Sequence, residues 1–171
     1  MAAVTLITVY HFNSQNVEAY TRLVRGLRST TRQLQSNNRL ILVANGISDG
    51  AEDPNRVLRD VDPSHPERVV PVAMLKNAGI AGGINAGIEE ALKDPCDWIG
   101  QIQSSVVIGS GWLQAMISHP NLSSAHGLSG RLVYEDQPDT IWSDGHYLEK
   151  GRTLDIQHDK PQNKPNSGST R

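Results

Sequence analysis

The feature that most constrains this chain is a repeated exchange of periods: short apolar β-rich runs separated by segments whose apolar residues recur every three or four positions. Val4 to Val9 is the first run. After Asn13 the period changes, with Val17, Tyr20, Leu23, Val24, Leu27, Thr31 and Leu34 forming one helical stripe. Ser14 or Asn16 can cap that helix, and Glu18 suits its first turn. Arg39 to Val43 is a second run, ending in the turn-rich stretch Ala44 to Gly50. Asp53-Pro54 reads as an N-cap followed by proline at the first helical position, opening a helix through about Val61. Val69 to Leu75 is a third strand, which Pro71 assigns to an edge. Ile80, Ile84, Ile88, Ala91 and Leu92 mark a third helix, and Trp98 to Ile102 a fourth strand. Strands alternating with helices need crossover connections, so the pattern predicts an α/β fold with a mostly parallel sheet covered by helices on both faces.

After residue 105 the alternation stops. A short helix from Gly111 to Ser118 is expected, then paired strands at Gly127 to Tyr134 and Thr140 to Trp142 around a turn at 135–139. From Ile156 the chain is almost devoid of apolar residues, so 1–155 is expected to be one domain and 156–171 a flexible polar tail. That abrupt loss of pattern also predicts exposed apolar surface and self-association into a homo-oligomer.

Composition narrows the partners. Sixteen Lys+Arg against eighteen Asp+Glu, with no long block of one sign, speak against nucleic acid. The opening apolar run is short, carries Thr5 and Thr8 and has no basic flank, so it reads as a strand, not a signal or a membrane span. Cys96 is the single cysteine, which excludes an internal disulfide and a multi-cysteine zinc site and suits the cytoplasm. His119, His126, His146 and His158 lack metal-ligand spacing, and no Gly-x-Ser-x-Gly elbow is present. Trp98, Trp112 and Trp142 are read as core anchors, with sugar stacking as the other use of such rings.

In open α/β sheets ligands bind beyond the carboxyl ends of the strands, where loops and helix N-termini converge. Four such ends are expected here: Tyr10 to Asn13, Ala44 to Gly50, Asn77 to Asn85, and Gln103-Ser104-Ser105. The glycine-rich segment Asn77-Ala-Gly-Ile-Ala-Gly-Gly-Ile-Asn-Ala-Gly87 has two readings. Its amides can meet an anionic group such as a diphosphate at a helix start, or its glycines can serve a tight turn and close helix–sheet packing.

The ordered set Phe12-Asn13-Ser14, Asn45-Gly-Ile-Ser-Asp-Gly50, Asn77 to Gly87 and Trp98 through Trp112-Leu113 resembles the family 2 glycosyltransferases. The later Gly130-Arg-Leu-Val-Tyr134 and Ile141-Trp-Ser-Asp-Gly145 are similar to the rhamnosyltransferase-like members. The resemblance covers roughly residues 4 to 150. It implies a GT-A-like fold, a three-layer sandwich that binds a nucleoside-diphosphate sugar, with Mg²⁺ or Mn²⁺ as cofactor and transfer of the sugar to an acceptor hydroxyl. By position it implies nucleotide-sugar contacts from His11, Phe12, Asn13, Asn45, Asp49, Asn77, Gly82, Gly83, Asn85, Gln103 and Ser105.

Three departures accompany the likeness. Ala44 stands where the family has an acidic residue that accepts from the base. Gln103 and Ser105 stand where it has an Asp-x-Asp pair, and both are neutral, poor ligands for a hard cation. The chain also stops near the point where the acceptor-binding half would begin, leaving Asp144 as the candidate catalytic base and no metal ligands to name. Two function classes follow: a glycosyltransferase-like enzyme, or an inactive or truncated homologue that binds or scaffolds. A nucleotidyltransferase-type enzyme on a similar sheet would also need acidic metal ligands.

Overall fold

The computed structural model describes residues 2–144 throughout, and the backbone of 146–149, 152–155 and 160–161. Its contacts part between Ile117 and Ser118 into two compact units, Met1–Ile117 and Ser118–Arg171.

The first unit is the expected α/β alternation. Strand β1 (Val4–Tyr10) is followed by α1 (Val17–Thr31), β2 (Arg39–Asn45), α2 (Pro54–Val61), β3 (Val69–Met74), α3 (Gly79–Ala91), β4 (Trp98–Gln101) and α4 (Trp112–Ile117). The sheet is parallel throughout, in the order β3-β2-β1-β4. Pro71 sits on the edge strand β3, where its missing N–H costs no central ladder bond. The helix starts are local chemistry. Asn16 accepts from the Ala19 amide at 3.2 Å, so of the two cap candidates Asn16 is the one used. Asp53 accepts from Asn55 and Arg56 at 2.9 and 3.2 Å, with Pro54 at the first helical position.

Alternate residues of the central strands feed separate cores on the two faces. On one face Leu6, Leu40 and Leu42 pack with Leu23 and Leu27 of α1 and with Val57 and Val61 of α2. On the other, Ile7, Val9, Ile41 and Val43 pack with α3. The result is a Rossmann-like three-layer sandwich, with α1 and α2 on one side and α3 on the other.

The seating of α3 bears out the packing reading of its glycines and trims the ends of the expected apolar stripe. Of the expected stripe, Ala91 is buried and Ile84 and Ile88 pack partly buried against the sheet core, whereas its ends Ile80 and Leu92 are 62% and 69% exposed. The residues turned onto the sheet are Gly83, Gly87 and Ala91. Their smallness is the cause, since a methyl on Gly83 would lie 2.5 Å from Val9 Cγ1, and one on Gly87 would lie 2.5 Å from Ile7 Cγ2. A hydrophobic-stripe argument ranks residues by apolar size, whereas a helix pressed against a sheet is ranked by clearance.

In the second unit β5 (Leu132–Val133) and β6 (Thr140–Ser143) form the expected antiparallel pair around the 135–139 turn, with Ile141 buried. Strands β7 (His146–Glu149) and β8 (Arg152–Asp155) pair antiparallel, and β9 (Lys160–Pro161) pairs with β6. Lys160–Pro161 falls within the stretch expected to be a flexible polar tail, whose other residues lie outside the described ones. Among the described residues no helix is long and apolar enough to cross a membrane.

Filling the α3 contact tests this account. A side chain at Gly87 gains about 1 kcal/mol of helix propensity at most but overpacks Ile7, which typically costs 1–3 kcal/mol. Gly87→Val should therefore lower unfolding stability by about 2 kcal/mol in urea titration. A neutral or stabilising outcome would show that α3 does not sit this close.

Candidate functional site

The strand order reverses at β1, which has β2 on one side and β4 on the other. Beyond the carboxyl ends of these strands lie the loops singled out by sequence, and a chain of hydrogen bonds joins three of them. Buried Asn45, the last residue of β2, is its centre. Its Nδ2 donates to Asn77 Oδ1 at 3.0 Å and to the Gly79 carbonyl at 2.9 Å, and its Oδ1 accepts from the Ala78 amide at 3.0 Å. One side chain thus fixes the β3–α3 loop to β2. Asn77 Oδ1 also accepts from the Gly79 amide at 2.9 Å, and Asp49 accepts from the Asn77 amide at 2.6 Å. Gly46 permits this convergence in two ways: its φ of 100° lies in the left-handed region, and a methyl there would stand 2.6 Å from the Asn77 nitrogen.

The loop after β1 joins from the other side. Exposed His11 places Nδ1 2.6 Å from the Asn45 carbonyl oxygen. Half-buried Phe12 packs into the core, its ring centroid 5.9 Å from that of Tyr10. Asn13 is used locally: its Oδ1 accepts from the Gln15 amide at 3.0 Å and its carbonyl from the Asn16 amide at 3.1 Å, so it shapes the entry to α1.

Glu52, which the sequence reading passed over, braces this loop. Its amide donates to the Phe12 carbonyl at 3.0 Å, its carboxylate accepts from the Ser14 amide at 3.2 Å, and its carbonyl accepts from the Tyr10 hydroxyl at 2.7 Å. Burial pushes the Glu52 carboxyl up, but hydrogen bonds from Ser14, the charge of Arg56 and the Asp53 amide outweigh burial and hold it below the ordinary value. Burial first, and then the Asp53 charge, push the Tyr10 phenol up and keep it neutral. The signal that could have found Glu52 is its place directly before the Asp53-Pro54 helix start, which puts a carboxylate where β1's outgoing loop must pass.

The remaining predicted residues divide. Asn85 is exposed on α3, and Gln103 and Ser105 are exposed beyond β4. Gly82 is half-buried, and Gly83 faces the sheet beside Val9, which is the packing use of the glycine-rich segment. Ala44 is fully buried and faces the core shared with α1 and α2. Asp144 belongs to the second unit, where Arg131 binds both of its carboxylate oxygens at 2.9 and 3.1 Å, so its lone pairs are engaged by a cation. Trp98 and Trp112 are partly buried against the core as expected, whereas Trp142 is 40% exposed.

The divalent cation implied by the glycosyltransferase likeness does not fit the residues present. The donors at 103 and 105 are a neutral amide and a hydroxyl, and the strand ends at Gln101, after which the Val106 amide closes a turn on the Gln103 carbonyl at 3.0 Å. Positions 103 and 105 therefore do not share one face of an extended strand. Among the described residues no three His, Cys, Asp or Glu are grouped to hold a metal.

Two substitutions probe the framework. Asn45→Ala leaves the Gly79 carbonyl and the Ala78 amide without their partner and takes one of two donors from Asn77 Oδ1, and should lower stability by about 2 kcal/mol in urea unfolding. Glu52 has a folded-state pKa below its unfolded one, so its stabilisation is complete above the ordinary value of 4.5 and is lost as pH falls through the folded value. Between pH 6 and pH 3 the wild-type protein should thus lose more stability than Glu52→Gln, as read from denaturant midpoints; parallel curves would remove Glu52 from the acid limb.

No family model matches the chain, and no curated protein matches it.

Proposed function

We propose that the chain is a glycosyltransferase-like domain of GT-A type that binds a nucleoside-diphosphate sugar at the carboxyl edge of its sheet, the donor for sugar transfer to an acceptor hydroxyl. One observation carries the reading: His11, Asn45, Asp49 and Asn77, from three successive strand ends, are tied into one hydrogen-bonded edge where the strand order reverses. This is where an open α/β sheet receives a nucleotide. In this reading the base and ribose lie against the 11–13 and 45–49 loops, and the start of α3 and the 103–105 turn face the diphosphate and sugar. The first-turn amides of α3 then supply favourable dipoles to the diphosphate.

A second reading, a catalytically inactive or truncated homologue acting as a binding or scaffold protein, is favoured by a specific observation. Asp144, the candidate base, is held bidentately by Arg131, and positions 103 and 105 offer no carboxylate to a cation. Both readings require donor binding, and only the first requires turnover.

Thermal shift and saturation-transfer NMR with UDP-, GDP- and dTDP-sugars, with and without Mn²⁺, separate them. The expected result is stabilisation by one of these sugars that is indifferent to Mn²⁺, on the order of 2.7 kcal/mol at a hundredfold excess over Kd. Release of nucleoside diphosphate in the presence of acceptor would establish the enzyme, and binding without release the scaffold. Metal-dependent binding would overturn the inactive reading, and absence of all binding would overturn both.

A further inference from the structure

The ring of His11 has a defined hydrogen-bond polarity. Its Nδ1 lies 2.6 Å from the Asn45 carbonyl oxygen. A carbonyl oxygen only accepts, so Nδ1 is the donor in that contact. Neutral imidazole carries a single N–H, and with that proton on Nδ1 the Nε2 atom is left as a bare acceptor. The ring belongs to an exposed residue at the end of the strand where the order reverses.

The carbonyl that sets this polarity is itself held in place. Asn45 is buried, and its side chain is bonded to Asn77, Ala78 and Gly79, so its backbone is fixed to both β2 and the β3–α3 loop. An acceptor whose orientation is fixed before the ligand arrives discriminates by what it leaves unpaired, and not only by what it binds.

We infer that His11 is the base-selecting residue of the site, with Nε2 accepting the ring N–H of uracil, thymine or guanine. This rests on the nucleotide reading above. Uracil and thymine carry a proton on N3 and guanine on N1. Cytosine N3 and adenine N1 are instead lone pairs, which would face Nε2 lone pair to lone pair and leave two desolvated acceptors without donors.

The test has two parts, both on the full chain. Long-range ¹H–¹⁵N spectra of the ligand-free protein read the tautomer directly: His11 is expected with the proton on Nδ1 and a bare Nε2, and the opposite tautomer would overturn the inference without any ligand. Titrations with UDP, CDP and N3-methyl-UDP then read selection. UDP should bind about tenfold or more tighter than either of the others. His11→Phe, which keeps an aromatic ring and removes the acceptor, should abolish the preference, weakening UDP and relieving the penalty on CDP until the two bind alike. Equal binding of UDP and CDP, or a His11→Phe variant that still prefers UDP, would overturn base selection by His11 while the nucleotide reading stands. Failure of every nucleoside diphosphate to bind would overturn the nucleotide reading and this inference with it.

Discussion

The close seating of α3 on the sheet is the contact on which the rest of the first unit depends. A parallel sheet must be covered on both faces, and here α3 covers one of them alone among the described helices of its unit. Gly83, Gly87 and Ala91 bring the helix backbone down onto Ile7 and Val9. That approach allows the chain to leave the edge strand β3, cross over β2 and β1, and return as β4 on the far side. This crossover creates the strand-order reversal at β1. It also delivers the head of α3 to the end of β2, within reach of Asn45.

Asn45 converts this packing into a shaped edge. A buried amide with one acceptor and two donors has to satisfy them inside the protein, and Asn45 does so with Asn77, Ala78 and Gly79 between β3 and α3. Satisfying them fixes that loop, and the Asn45 carbonyl fixes the His11 ring in turn. Glu52 braces the loop after β1, through contacts to Tyr10, Phe12 and Ser14. The edge is thus tied together through one buried amide, that of Asn45.

The two carboxylates closest to a functional role are both engaged. Asp49 accepts from the backbone of Asn77 and so helps to hold the loop, while Asp144 is neutralised by Arg131 in the second unit. A carboxylate with both oxygens on a guanidinium is a poor proton acceptor, since taking a proton would break two charge-assisted bonds. What chemistry the domain performs thus depends on groups other than these.

The order of strands and helices in the first unit was legible from the sequence, because period-2 and period-3.6 patterns are local and the starts of α1 and α2 are written in Asn16, Asp53 and Pro54. The edge position of β3 followed from Pro71 for the same reason: a missing donor is a property of one residue. The loops at the carboxyl edge could be named, but not the division of labour within them. Only the folded chain decides that Asn45 is an interior strut, that His11 is the exposed ring, and that Gly83 serves packing, because each depends on what lies opposite in space. The same limit explains the exposed ends of the α3 stripe and the missed role of Glu52. Periodicity reports which residues are apolar, while clearance between a helix and a sheet, and the pairing of buried polar groups, are set by residues 30 to 80 positions away that no local pattern contains.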